Sequence, residues 1–176
     1  MEPLILPFEG NRPELGDGVF VAPGATVIGR VAVGADTNIW YGCVLRGDVE
    51  RIHVGARTNI QDGTIVHVTT DRFGAHIGSD VTIGHACVIH GATLEDDAFV
   101  GMRATVLDGA VVEGGAMVAA NALVGPGKRV PRGELWAGVP AKKVRDLSEA
   151  EIAELAETPP HYVDLARRHQ VALRER

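Results

Sequence analysis

The sequence predicts an all-β solenoid of short parallel strands, followed by C-terminal α-helices. The first observation is an aliphatic residue at every sixth position over most of the chain, which predicts one short strand and one tight turn in each repeat. The second is composition: 22 of the 176 residues are glycine and only 5% are aromatic, so Val, Ile, Leu and Ala must fill a narrow core. The third is that the repeat stops after Pro131 and a helix-capping pattern follows.

The repeat contains two insertions and one shortened hexad. Its eighteen aliphatic members are Val21, Val27, Val33, Ile39, Leu45, Val54, Ile60, Val66, Ile77, Ile83, Ile89, Leu94, Val100, Val106, Val112, Val118, Val124 and Val130. Glycine often follows directly, as at Gly34 and Gly55, and we expect these glycines to supply a positive φ in the turn. The extra residues, near 50–53 and 69–76, are expected to bulge from the solenoid as loops, where functional groups are often found.

This six-residue period resembles the repeat of the hexapeptide proteins that form left-handed parallel β-helices. The resemblance implies the left hand and a triangular coil of three hexads, so that the repeats give about six coils. We label the three flat faces a, b and c in turn, with Val21 on face a. On this basis 1–14 is an N-terminal cap segment, 15–133 is the left-handed β-helix, and 134–176 holds a connecting segment and α-helices.

Two helices are predicted after the repeat. Ser148 and Glu151 match a capping box, which opens the first helix. The Thr-Pro-Pro run at 158–160 ends it, and Tyr162 to Leu173 forms a second, amphipathic helix. We expect both helices to pack along the prism and to cover one face.

Composition excludes several classes of function. Lys and Arg (17) are fewer than Asp and Glu (23), the net charge is −6, and no basic run is present, which disfavours nucleic-acid binding. We also expect no membrane span, because no apolar run reaches 18 residues, and a cytoplasmic location, because the N-terminus lacks the layout of a signal peptide. Cys43 and Cys87 lie two coils apart, about 9–10 Å, which is too far for a disulfide.

The register brings two of the seven histidines together. His67 and His90 each follow a face b aliphatic residue by one position, so they stack on adjacent coils, about 4.8 Å apart. His85 follows a face a aliphatic residue by two positions and projects elsewhere. Since a zinc site needs at least three protein ligands, the register predicts a homotrimer in which His67 and His90 of one chain and His85 of its neighbour hold a metal. The alternative is that these histidines pack a dry subunit contact.

Several short segments resemble those of γ-class carbonic anhydrases. They are Leu45-Arg46-Gly47-Asp48, Asn59-Ile60-Gln61-Asp62-Gly63, Val66-His67, Gly84-His85 and Ile89-His90-Gly91. The resemblance implies a lyase that reversibly hydrates CO2 to bicarbonate at a metal held by His67, His85 and His90 between the subunits of a trimer. Zn2+ is the expected metal, and Fe2+ or Co2+ would also suit imidazole ligands.

The resemblance also implies roles for residues around the metal. Gln61, with Asn59 beside it, matches the position that orients hydroxide and CO2; the alternative is a rim residue that bonds to backbone. The register places Arg46 one coil below the two stacked histidines and Asp62 directly below His85. Together with Asp48 they resemble an ion network between subunits, where an Arg fork can hold two carboxylates.

The chain departs from the prototype enzymes in its acidic groups. The loop from Val68 to Ala75 is short and offers only Asp71, and Val49 stands where a carboxylate would follow Asp48. Proton export is therefore in question. Tyr162 resembles a tyrosine that many shorter relatives place near the metal, although a packing role explains it equally well.

Three other functions remain open at this stage. A metal-dependent thioesterase or other hydrolase is one, because metal-activated hydroxide attacks carbonyl groups other than CO2. A weakly active or non-catalytic trimeric metal-binding protein is another. An acyltransferase, which shares the repeat, is disfavoured because it uses one histidine as a base, whereas three stand together here.

Overall fold

The computed structural model describes residues 2–175, in which short strands precede two helices. The strands are β1 (Leu4–Leu6), β2 (Glu14–Leu15), β3 (Phe20–Val21), β4 (Thr26–Val33), β5 (Asn38–Ile39), β6 (Val44–Val54), β7 (Asn59–Ile60), β8 (Ile65–His67), β9 (Ala75–Ile77), β10 (Thr82–Ile83), β11 (Val88–His90), β12 (Thr93–Leu94), β13 (Phe99–Val100), β14 (Thr105–Val106), β15 (Val111–Val112), β16 (Met117–Val118), β17 (Leu123–Val124), β18 (Arg129–Val130), β19 (Glu134–Ala137) and β20 (Lys142–Asp146). The helices are α1 (Glu149–Ala156) and α2 (Thr158–Arg174).

The predicted left-handed β-helix and its register are confirmed. Faces b and c form one 12-stranded sheet, because β4 and β6 are long enough to turn the corner between them, and face a forms an 8-stranded sheet. In the described residues seven parallel strands, β3 to β19, stack on face a, one level more than expected. The extra level is β19, where Trp136 pairs with Val118. Trp136 lies six residues after Val130, the last aliphatic member of the repeat, but is itself aromatic.

The repeating aliphatic residues form the core, as predicted. On face b, Leu45 pairs with Val66 and Val66 with Ile89, and all three have 0% exposed surface. Cys43 and Cys87 are free and buried in the same core. Their burial raises the pKa of the thiols to about 12 and about 11, respectively, because a thiolate is poorly solvated there.

Most of the glycines that follow the aliphatic residues permit close packing, and the expectation that they supply a positive φ is wrong. A Cβ on Gly55 would stand 2.5 Å from the backbone carbonyl carbon of Gly78 in the next coil. The same holds for Gly34, whose Cβ would lie 2.6 Å from that of Gly55. Positive φ occurs instead at the corners, three residues after the aliphatic position, with values of 71° at Gly63 and 56° at Ala86.

The two insertions take different forms. The first is not a separate loop near 50–53: β6 is continuous, and its register against β4 shifts between Gly29 and Val31, so that 48–51 form a bulge within the strand. A bulge leaves its extra residues unpaired and bends the strand locally, and here Val49 of the bulge packs against the core. The second insertion is a loop, as expected, and a bridge between Thr69 and Phe73 closes it.

The C-terminal helices pack as predicted, with one change in their bounds. Ser148 caps α1, and its reciprocal hydrogen bonds with Glu151 complete the capping box. However, α2 begins at Thr158 rather than near Tyr162, because prolines are tolerated in the first turn of a helix. It packs on β3, β5 and β7 of face a. No helix in the described residues has both the length and the apolar character needed to cross a membrane.

The segment boundaries at 15 and 133 stay a prediction. Within the expected cap segment, β1 and β2 pair with β4 as parallel strands. Positions 1 and 176 of the predicted segments lie outside the described residues.

Candidate functional site

Face b carries two histidines in contact. His67 ends β8 and His90 ends β11, and the two residues are direct partners in the parallel ladder. Side chains that follow an inward aliphatic residue by one position point away from the core, so both rings stand on the outer surface. Their centroids are 5.1 Å apart, and Nδ1 of His67 lies 3.1 Å from Nε2 of His90.

His85 lies apart from this pair in the single chain. It follows β10 at the corner between faces a and b, its side chain is 45% exposed, and its Nδ1 lies 2.9 Å from Oδ2 of Asp62. Among the described residues of one chain, no group of three or more His, Cys, Asp or Glu side chains is arranged to hold a metal ion. One chain therefore offers two neighbouring imidazoles on face b and a third at its corner, which is the division that the register predicts.

Each of the three histidines has a carboxylate partner on one ring nitrogen. Asp48 Oδ1 lies 3.1 Å from His67 Nε2, and Asp108 Oδ1 lies 2.7 Å from His90 Nδ1. With the Asp62 contact to His85, this leaves Nδ1 of His67, Nε2 of His90 and Nε2 of His85 as the nitrogens without a carboxylate. Histidines that bind metals characteristically hold their second nitrogen in this way. The donor set thus fits a divalent metal.

Sequence reasoning missed Asp108. Its position carries a signal, because it follows the face b residue Val106 by two positions, on the coil next to that of His90. Thr69 Oγ1 donates to Asp108 Oδ2 at 2.8 Å, so the turn of the second insertion positions the carboxylate. Burial opposes ionisation of Asp108, but the hydrogen bonds from His90 and Thr69 outweigh it and hold the pKa of this carboxyl below its usual range.

Within one chain, the residues of the predicted ion network lie in two separate places. Arg46 forms an ion pair with Asp48, which also contacts His67, whereas Asp62 contacts His85 at the other corner of the face. Burial opposes ionisation of Asp48, yet the hydrogen bonds from Arg46 and His67 keep the pKa of this carboxyl below its usual range. The Asp48 carboxylate is therefore charged at neutral pH.

Gln61 and Asn59 form a buried amide pair one coil below His85. Gln61 Nε2 donates to Asn59 Oδ1 at 3.0 Å, and Asn59 Nδ2 donates to Thr82 Oγ1 at 2.9 Å. Gln61 is 6% exposed and Asn59 is fully buried. The side-chain amide of Gln61 thus donates to another side chain and not to backbone.

Tyr162 has contacts that fit a packing role and also lies near a residue of the predicted site. It lies on α2 with its ring edge-on to Trp40, 5.6 Å between centroids, inside an aromatic cluster that fixes the helix to face a. Burial and the nearby charge of Asp62 raise the pKa of its hydroxyl. Tyr162 therefore packs the helix and also lies within electrostatic reach of the carboxylate that holds His85.

Comparisons with known proteins identify the family of this chain. A family model described as bacterial transferase hexapeptide (six repeats) matches residues 12–47. The chain is 41% identical over 148 residues to a probable carbonic anhydrase of Methanocaldococcus jannaschii, covering 84% of this chain and 92% of that protein. The chain belongs to the γ-class carbonic anhydrase-like family.

Two further proteins are similar to this chain in sequence and in fold. Gamma carbonic anhydrase 2, mitochondrial, of Arabidopsis thaliana is 53% identical over 164 residues, which cover 90% of this chain. The chain spans 59% of that relative's length, less than two thirds. The crystal structure of a hexapeptide transferase family protein from Anaplasma phagocytophilum has a TM-score of 0.90 at 47% identity, covering 95% of this chain and 98% of that chain.

Proposed function

We propose that this member of the family hydrates CO2 reversibly to bicarbonate, as a carbonic anhydrase-like lyase, at a metal shared between the subunits of a homotrimer. The observation that carries the proposal is the set of three histidines, each backed by a carboxylate. Two of them are in contact on face b, and the third lies at the corner beside that face. Rotation about a threefold axis would bring the corner of one chain against face b of the next.

The surface around the histidines supports an assembly of copies of this chain. Ile65 precedes His67 by two positions and is 44% exposed, and Leu4 on the same face is 51% exposed. Met102 lies one coil beyond His85 at the corner and is 54% exposed. Exposed large apolar side chains mark a contact surface where they lie close together, and here Ile65 and Met102 lie beside the proposed ligands.

We propose Zn2+ as the metal, with Fe2+ or Co2+ as alternatives that imidazole ligands also accept. Bound by three neutral imidazoles, a divalent metal would act as a Lewis acid that lowers the pKa of water to about 7 and so supplies hydroxide at neutral pH. The carboxylates of Asp48, Asp62 and Asp108 would hold the rings in the tautomer that leaves the ligating nitrogen unprotonated.

The remaining predicted residues take positioning roles in this proposal. Gln61 would orient CO2 through its side-chain amide, which Asn59 fixes. Arg46 would hold Asp48 and bridge to Asp62 of the adjoining subunit. Tyr162 would position α2 against Asp62 at the rim of the site. We also keep the cytoplasm as the proposed compartment.

Stopped-flow CO2 hydration with zinc-loaded and anaerobically iron-loaded protein tests the activity. We expect measurable hydration from the wild type, and loss of both activity and metal from His67→Ala, His85→Ala and His90→Ala. His53→Ala, an exposed histidine on face c, is the matched control and should retain both. A three-ligand site shared between neighbouring subunits requires one metal ion per subunit. A metal content below about one ion per three subunits would contradict the proposal. Hydrolysis of acyl-CoA without CO2 hydration would favour the thioesterase alternative.

A further inference from the structure

Four arginines lie together at the corner between faces b and c and lack a carboxylate partner. They are Arg12, Arg30, Arg51 and Arg72, and none of them takes part in an ion pair within the described residues. The concentration is unexpected, because the chain as a whole carries a net charge of −6. Guanidinium groups left unpaired side by side repel one another, so their grouping needs a counter-charge from elsewhere.

Three of these arginines line one cleft. The cleft has a volume of about 460 Å3 and lies between the segment 10–14 and strand β4, with Arg12, Arg30 and Arg51 in its walls. Glu14 supplies the one carboxylate of the lining, so two positive charges remain in excess. A second cleft of about 410 Å3 adjoins it, shares Arg30 and Arg51, and adds Arg72.

Arg30 is the most informative of the group. It is half-buried, and its Nε is buried without a hydrogen-bond partner in the described part of the chain. Its one protein acceptor is the backbone carbonyl of Asp48, 3.2 Å from Nη2. A partly buried cation is normally paired with an anion, and Arg30 has only a neutral carbonyl.

We propose that this cleft binds the phosphate group of a small organic phosphate. A phosphate monoester carries close to two negative charges at neutral pH, which matches the excess in the lining, and guanidinium forks suit phosphate oxygens. The volume falls within the range of small-molecule sites and exceeds what the phosphate group alone needs. The adjoining cleft, with Glu50 and Asp71 among its arginines, offers both donors and acceptors for the organic part.

The cleft is separate from the proposed metal site but adjoins it through the bulge of β6. The carboxylate of Asp48 contacts His67, while its backbone carbonyl accepts from Arg30. Arg51 extends from the same bulge into both clefts.

Isothermal titration calorimetry at low ionic strength tests the proposal, with inorganic phosphate and adenosine 5′-monophosphate as the two probes. We expect saturable binding of one equivalent per chain, weakened about tenfold or more in Arg51→Gln and in Arg30→Gln, since each removes charge-assisted hydrogen bonds. Arg168→Gln, an exposed arginine on α2, is the matched control and should bind as the wild type does. Tighter binding of the nucleotide than of inorganic phosphate supports the proposal, and equal binding of the two probes contradicts it, because the organic part would then make no contact.

A metal-site variant separates this proposal from the proposed function. His85→Ala should keep phosphate binding while losing CO2 hydration. The proposal is overturned if neither probe binds at millimolar concentration, if Arg51→Gln and Arg168→Gln bind alike, or if His85→Ala abolishes the binding.

Discussion

Asp108 gives the sharpest test of how the site holds its histidines. Its carboxylate accepts from His90 Nδ1 at 2.7 Å and is itself held by Thr69 at 2.8 Å. Removing such an outer carboxylate typically lowers metal affinity 10–100-fold, or about 1.4–2.7 kcal/mol. Asn keeps one neutral acceptor, so Asp108→Asn should lower metal affinity about tenfold, near the lower limit of this range. Asp108→Ala removes the acceptor and should lower metal affinity about 100-fold, near the upper limit.

Competition for zinc with a chromogenic chelator measures this affinity directly. Thr69→Val should weaken zinc binding by a few-fold only, because it removes the support of Asp108 and leaves the carboxylate itself in place. Asp164→Asn, at an exposed position of α2, is the matched control and should leave the affinity unchanged. Wild-type zinc affinity in Asp108→Ala would refute the reasoning, and so would an equal loss in Asp164→Asn.

Three further predictions concern the scaffold. Burial raises the thiol pKa of Cys43 to about 12 and of Cys87 to about 11, so both should resist Ellman's reagent at pH 8 in the native protein and react in guanidinium; rapid native labelling would contradict this. Gly55→Ala would place a Cβ 2.5 Å from backbone of the next coil, and overpacking of this kind should destabilise by about 1–3 kcal/mol, which an unchanged urea midpoint would refute. The pKa of the Asp48 carboxyl is lowered in the folded protein. Its charged form therefore stabilises the fold fully above the unfolded pKa of about 4, and this stabilisation is lost as the pH falls through the pKa of the folded state. Asp48→Asn should therefore lower the free energy of unfolding of the metal-free protein more at pH 7 than at pH 3. An equal loss of unfolding free energy at both pH values would contradict this.

The register could be predicted from the sequence because a solenoid repeats one local rule. Once Val66 and Ile89 are assigned to the same face, the pairing of His67 with His90 follows, and the structure has that pairing. The same rule extends to Asp108, whose place one coil from His90 follows from Val106. Asp108 is neither a histidine nor part of the segments that resemble the family, so neither of those two signals points to it.

Other features depend on neighbouring coils and could not be derived from one repeat. In the sequence, Gly34 and Gly55 look like turn residues. Glycine is required there because a Cβ would stand 2.6 and 2.5 Å, respectively, from the backbone of the adjacent coil. The first insertion becomes a bulge in β6 because its flanking residues keep pairing with β4. The unpaired state of Arg30 likewise depends on where that bulge places the carbonyl of Asp48.

Mixing inactive subunits tests the shared site most directly. If His67 and His90 of one chain act with His85 of the next, random trimers of His67→Ala and His85→Ala chains should rebuild about a quarter of the sites. Trimers of His67→Ala and His90→Ala chains should rebuild none, because both substitutions damage the same half of each site. Recovery of metal binding and CO2 hydration in the first mixture alone is the predicted result. Equal recovery in both mixtures, or in neither, would contradict a site divided between subunits.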